Sequence, residues 1–86
     1  MRTLIFGETM WLAEGYRVAK TWQGDLDSAE AVWGEDDFKG LRCAKVLLVG
    51  NYTLNPRWEA VSRRLALLTE KCAVSIIVDK DWPCAR

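Results

Sequence analysis

A chain of 86 residues that carries twelve basic and twelve acidic side chains has no net charge at neutral pH. Proteins that bind nucleic acids generally carry an excess of Lys and Arg to neutralise phosphates, so this balance argues against that class of protein. The length predicts one domain over residues 1–86, and without an apolar stretch of roughly 20 residues neither a membrane span nor a secretory signal peptide is expected.

Three apolar runs without in-and-out alternation dominate the chain, and they predict strands that are covered on both faces. Two of these runs end at a glycine and lead into a segment with helical periodicity, which is typical of βαβ units around a parallel sheet. A weaker run predicts an additional strand at the edge of the sheet. The predicted strands are Arg2–Phe6, the weak Ala29–Trp33, Ala44–Val49 and Ala73–Val78.

Two long helices are predicted between these strands. The first spans Glu8–Trp22, with Thr9 near its N-cap. The second has Asn55 as its N-cap and Pro56 at the first helical position, and it ends near Lys71. In the first helix, two adjacent apolar rows predict one wide stripe that lies on the sheet. These rows are Leu12, Tyr16 and Ala19 on one line and Trp11, Gly15, Val18 and Trp22 on the next, while the second helix has Trp58, Val61, Leu65 and Leu68.

The remaining segments predict connections. Residues 34–42 indicate a turn with one helical turn inside it, capped by Asp36 or Asp37 and anchored to the core by Phe38 and Leu41. Asp79–Pro83 indicates a polar exit from the last strand, followed by a frayed end at residues 84–86.

This order of elements predicts a compact three-layer, Rossmann-like α/β domain of the form β-α-β-turn-β-α-β. The sheet would have four mostly parallel strands in the order 2-3-1-4. Right-handed crossovers then place the two long helices on opposite faces if the first strand is central. A ferredoxin-like α+β layout is the alternative, although the strands of its one-sided sheet would alternate between apolar and polar residues.

Ligands of parallel sheets bind beyond the carboxyl ends of the strands, and small or polar residues occupy three such loops here. The loops are Gly7-Glu8-Thr9, Gly50-Asn51-Tyr52-Thr53 and Asp79-Lys80-Asp81. One alternative function is therefore a small-ligand or nucleotide-binding domain. However, Glu8 would repel a phosphate, and a glycine after a strand is usually simple turn chemistry.

The region from Thr3 to Asn51, with its stretch Asp37-Phe38-Lys39-Gly40-Leu41-Arg42 before a buried strand, resembles the cores of bacteriophage terminase- and helicase-like P-loop ATPases. In that family a lysine in a glycine-rich loop reaches the phosphates, and acidic residues follow the later strand. Here the loop is Gly7-Glu8-Thr9-Met10, without a lysine, and Gly50 and Asn51 replace the acidic pair. The resemblance implies a small phage protein that does not hydrolyse nucleotides and binds a host or phage protein in the host cytoplasm.

No catalytic residue, cofactor or metal site is predicted. The chain has no histidine to act as a base, and Cys43, Cys72 and Cys84 lack the spacing of zinc ligands. Three cysteines also make a disulfide framework improbable, so reduced thiols in the cytoplasm are expected. The acidic run Glu35-Asp36-Asp37 is interpreted as a solvated, helix-capping turn.

Five tryptophans cannot all be interior in so small a chain, and an exposed indole is a common anchor of protein interfaces. The sequence therefore predicts a non-catalytic protein-interaction module. A homodimer formed through the second or the last strand is a variant of this prediction. The predicted contact residues are Trp11, Trp22, Trp33, Arg57 and Arg64. A nucleic-acid-binding protein that uses Arg57, Arg63 and Arg64 is the other alternative, although Glu59 among them favours an ordinary solvated helix face.

Overall fold

The computed structural model describes residues 2–24, 28–38, 43–71 and 73–82. The predicted anchor Leu41 and the predicted frayed end at residues 84–86 lie outside this part of the chain. The strands are β1 (Arg2–Phe6), β2 (Glu30–Ala31), β3 (Cys43–Val49) and β4 (Ala73–Asp79), and the α-helices are α1 (Met10–Trp22) and α2 (Trp58–Lys71). Two short 3-10 helices occupy Glu35–Phe38 and Tyr52–Leu54.

The four strands form one parallel sheet in the order β2-β1-β3-β4. The predicted α/β class and parallel sheet are confirmed, whereas the predicted order 2-3-1-4 is wrong. Helix α1 returns the chain directly beside β1, where Leu4 pairs with Glu30. The longest strands then pair with each other, since β3 matches β4 from Cys43 to Val49. The predicted order would have set the seven-residue β4 against the five-residue β1 and so shortened that ladder.

The two helices lie on opposite faces of the sheet, as predicted, and each covers its own core. On one face, Val61, Leu65 and Leu68 of α2 pack with the buried Phe38 against β1 and β3, and Trp58 packs against this core. On the other face, Ala13 and Tyr16 of α1 pack against Ile5, Leu47 and Val49. The predicted apolar stripe of α2 is therefore confirmed.

Helix α1 begins and ends where its polar signals indicate. The Thr9 hydroxyl oxygen accepts a hydrogen bond from the Leu12 N–H over 3.1 Å, which caps the first turn. Gly24, with a φ of 82°, follows the last turn. The prediction of one wide buried stripe is wrong, however, because the row from Trp11 to Trp22 faces away from the sheet. The buried side of α1 is instead centred on Ala13 and Tyr16, which pack against Ile5, Leu47 and Val49.

Strand β4 forms the edge of the sheet and is not covered on both faces, contrary to the prediction. Ile76, Ile77 and Val78 are 38%, 45% and 45% exposed, and among the described strands β4 pairs only with β3. The predicted polar exit after β4 also contains a structural anchor. The Trp82 ring packs edge-to-face on Tyr16 with 5.4 Å between centroids, and its Nε1 donates to the Leu12 carbonyl over 3.3 Å.

The turns before β3 and α2 are held by side-chain acceptors. Asp37 Oδ2 accepts from the backbone N–H groups of Trp33 and Gly34, which precede the 3-10 helix, so Asp37 closes this turn from within the helix and does not cap its first turn as predicted. Helix α2 begins at Trp58, three residues after Asn55, yet Asn55 makes the side-chain contact that is expected of the predicted N-cap. Its Oδ1 accepts from the Arg57 N–H over 2.8 Å and forms an Asx-turn that precedes the helix.

Candidate functional site

The predicted contact residues fall on two separate surfaces. Trp11 and Trp22 lie on α1, whereas Trp33 and Arg57 lie on the side of the sheet that α2 covers, and Arg64 is within α2. The Arg57 guanidinium carbon is 5.6 Å from the centroid of the Trp33 ring, a cation–π contact within the chain. The Arg57 side chain also covers Gly34, where an added Cβ would meet its Cδ at 2.8 Å. Much of the Arg57 side chain is therefore in contact with its own domain.

The outer side of α1 carries a continuous apolar surface, which we call the tryptophan face and which consists of Trp11, Gly15, Val18 and Trp22. At 100° per residue these four positions lie within about 60° of each other. The buried residues of the helix, Ala13 and Tyr16, lie about 160° away around the helix axis. The tryptophan face therefore points directly into solvent.

The apolar side chains of the tryptophan face are highly exposed to solvent. Trp11 and Trp22 are 84% and 86% exposed, and Val18 between them is 43% exposed. At a rise of 1.5 Å per residue, the indoles stand about 16 Å apart along the axis. Isolated apolar residues on a surface are common, whereas contiguous exposed apolar patches are characteristic of interaction sites in general. The indoles offer large contact areas and few rotatable bonds.

A charged pair borders the tryptophan face on one side. Arg17 donates from Nε and Nη2 to the two carboxylate oxygens of Glu14 over 2.8 and 2.7 Å, which is bidentate geometry. This hydrogen bonding lowers the pKa of Glu14 below its ordinary value and raises the pKa of Arg17 above its own. Both groups are therefore charged at neutral pH and provide a dipolar rim beside apolar surface.

Between the first indole and the middle of the helix lies a shallow groove of about 370 Å³, at the lower end of the roughly 300–1,000 Å³ typical of ligand pockets. Its lining residues are Trp11, Glu14, Gly15, Val18 and Ala19. The absence of a side chain at Gly15 creates the depression. The carboxylate in the lining is already paired with Arg17, so an apolar protein side chain suits the groove better than a polar metabolite does.

At the carboxyl edge of the sheet, some of the polar groups of the loops bind to one another. Asn55 is 4% exposed, and its Nδ2 donates to the Gly7 carbonyl over 2.8 Å. A Cβ at Gly7 would lie 3.1 Å from Val49 Cγ2, so this glycine permits close packing between adjacent strands. The Gly50 N–H donates to the Asp79 carbonyl over 2.8 Å. These contacts fasten the loops together, and a nucleotide site here stays a prediction.

On α2, Arg63 forms an ion pair with Glu59 one helical turn earlier, as expected for a solvated helix face. Within the four described segments, no group of three or more acidic or thiol side chains is placed to hold a metal ion. The helices of the described residues are also too short or too polar to cross a membrane.

Sequence reasoning identified the two indoles of the tryptophan face but assigned Gly15 and Val18 to the buried side. No signal in the sequence identifies these two positions, because the burial of Ala13 and Tyr16 on the opposite side of the helix is seen only in the structure. No known protein family, curated protein or solved structure matches this chain. The resemblance to phage P-loop ATPases therefore stays a prediction from the sequence.

Proposed function

We propose that the chain is a non-catalytic protein-interaction module that contacts its partner through the tryptophan face. The observation that carries this proposal is the exposure of two indoles, 84% and 86%, on one line of a single helix. Aromatic anchors of this kind supply most of the binding energy of protein interfaces, and truncating one typically weakens binding by about 2 kcal/mol or more.

The rest of the surface supports the same assignment. The tryptophan face has an apolar centre, a groove over Gly15 and a charged rim formed by Glu14 and Arg17, which is the composition of a protein interface. The second set of predicted contact residues is less suitable, because Arg57 stacks on Trp33 and covers Gly34 within the domain.

Photo-crosslinking in the organism that encodes the chain tests this function whatever the partner is. A photoreactive phenylalanine analogue at Val18 leaves both tryptophans in place, and the same analogue at Leu54, an exposed apolar residue outside α1, provides the matched control. We expect a discrete protein adduct from position 18 and none from position 54. The adduct should disappear when Trp11→Ser and Trp22→Ser are combined.

An adduct that survives both serine substitutions would contradict the assignment of the face, and so would the absence of any adduct from position 18. Circular dichroism of the double variant checks that the fold is retained. We expect the fold to be retained because both side chains are more than four-fifths exposed.

A further inference from the structure

The residues of the tryptophan face have the same spacing in both directions along α1. Steps of four, three and four residues separate Trp11, Gly15, Val18 and Trp22. Turning the helix end over end therefore exchanges the two indoles and exchanges Gly15 with Val18. We propose that the occupant of this face is a second copy of the chain, with its α1 antiparallel around a two-fold axis at the level of residues 16 and 17. This inference rests on the proposed function, because it names the partner of the same face.

The antiparallel arrangement matches large residues with space for them. Trp11 of one copy lies at the level of the partner's Trp22, so that the two indoles can stack at each end of the contact. In the middle, the small Gly15 lies opposite the partner's Val18. The groove over Gly15 thus receives an apolar side chain, and the glycine allows the two helix backbones to approach closely.

The charged rim is complementary to itself in this arrangement. A two-fold axis perpendicular to both helices brings the same flank of each helix together. Glu14 of one copy then lies about 3 Å along the axis from the level of the partner's Arg17, at 1.5 Å of rise per residue. Around the helix axis, Glu14 lies about 70° and Arg17 about 130° from the centre of the face, so the exchange of partners across the interface depends on the long Arg17 side chain, which already extends to Glu14. A partner of unrelated sequence has no such built-in match.

The available area comes close to what a weak but specific dimer requires. An aromatic side chain buries about 150–250 Å² in a protein contact, so the four indoles of two copies contribute about 600–1,000 Å². Val18, the backbone at Gly15 and the stems of Glu14 and Arg17 add to this on both sides. The total approaches the roughly 1,200 Å² at which specific interfaces begin. A concentration-dependent dimer is therefore expected.

Sedimentation equilibrium of the purified full chain, from micromolar to millimolar concentration, tests the proposal. We expect a reversible monomer–dimer equilibrium, and Trp22→Lys should raise its dissociation constant by about tenfold or more. The matched control is Ile77→Lys, which places the same charge on the other exposed apolar surface, the β4 edge, and should leave the dimer intact.

A charge exchange tests the geometry without removing any apolar contact. Glu14→Arg alone sets two arginines against each other across the interface, and Arg17→Glu alone sets two glutamates against each other. Each variant should dimerise about tenfold more weakly, and an equimolar mixture of the two should recover a salt-sensitive heterodimer. Glu59→Arg and Arg63→Glu make the same changes in net charge on α2, away from the interface, and should dimerise like the parent chain.

Three results would overturn the inference. The chain could remain monomeric at every concentration, or the dimer could be lost with Ile77→Lys and not with Trp22→Lys. The equimolar mixture of the Glu14→Arg and Arg17→Glu variants could also fail to form a heterodimer. If the purified chain is monomeric but the crosslink at position 18 captures a different protein, the second copy is excluded and the proposed function stands. If no protein is captured at all, both proposals fail.

Discussion

The carboxamide of Asn55 joins two loops that are 48 positions apart in the chain: its Nδ2 donates to the Gly7 carbonyl over 2.8 Å. Its Oδ1 accepts from the Arg57 N–H at the same distance. One buried side chain therefore fixes the loop after β1 against the turn before α2. This contact sets the spacing between the beginnings of the two helices on opposite faces of the sheet.

Replacement of Asn55 should destabilise the fold in a graded way. Asn55→Ala removes both hydrogen bonds from a buried site and should lower the free energy of unfolding by about 1–3 kcal/mol. Asn55→Asp keeps the acceptor for Arg57 but turns a charged oxygen toward the Gly7 carbonyl, so it should cost more than the alanine. Urea denaturation measures both. The exposed Asn51, whose side chain caps no helix, provides the control, and Asn51→Ala should stay within about 0.5 kcal/mol.

Two glycines should respond in opposite directions to the same added methyl group. At Gly15 in α1, the nearest atom to a new Cβ is Trp82 Cζ2 at 3.9 Å, so Gly15→Ala fits and should raise the free energy of unfolding by about 0.5–1 kcal/mol. At Gly7, the new atom would meet Val49 Cγ2 at 3.1 Å, so Gly7→Ala should lower it by about 1–3 kcal/mol. Thermal unfolding of both variants gives the comparison. Equal effects of the two substitutions would contradict this difference in packing.

Two tryptophans of very different surroundings give a further prediction. Trp82→Ala removes an edge-to-face contact with Tyr16 and a hydrogen bond to Leu12, and should cost about 2–3 kcal/mol because the ring is only partly buried. Trp22→Ala should change the stability of the monomer by less than about 0.5 kcal/mol, since its indole is exposed. Chemical denaturation in dilute solution measures the free energy of unfolding of both variants and distinguishes the two effects. Trp82→Phe should restore part of the loss, because a ring still faces Tyr16.

The contrast between these two tryptophans shows which parts of the structure the sequence could predict. Local signals place element boundaries well: Gly7 follows the last residue of β1, and Thr9 caps α1. The role of Trp82 depends on contacts with α1 residues more than 60 positions earlier, and nothing near it in sequence indicates them. Its neighbours are polar, so the segment looks like an exposed exit.

The orientation of α1 could not be predicted for a related reason. Its two apolar rows have similar composition, and the row with the two tryptophans is the more apolar by area. Which side is buried depends on the contacts of Ala13 and Tyr16 with Ile5, Leu47 and Val49, and the helix sequence by itself does not indicate these contacts. The sequence therefore indicated Trp11 and Trp22 as contact residues but did not reveal the outward line that they form with Gly15 and Val18.

The backbone groups of the edge strand β4 alternate between those that face β3 and those that face away from the sheet. The Gly50 N–H donates to the Asp79 carbonyl, which shows that the backbone of Asp79 faces β3. In a parallel ladder, alternate residues face the same neighbour. The N–H groups that point toward β3 are therefore those of Ser75, Ile77 and Asp79, and those that point away from the sheet belong to Val74, Ile76 and Val78.

Amide hydrogen exchange should reproduce this alternation in β4. The outward amides of Val74, Ile76 and Val78 should exchange faster than the inward amides of Ser75 and Ile77, because only the latter are bonded within the sheet. Since the proposed dimer uses α1, raising the protein concentration should leave the three outward amides unprotected. Residue-resolved exchange by NMR measures both effects. Protection of the outward amides that grows with concentration would show that a second chain adds to the sheet at β4, which would contradict dimerisation through α1.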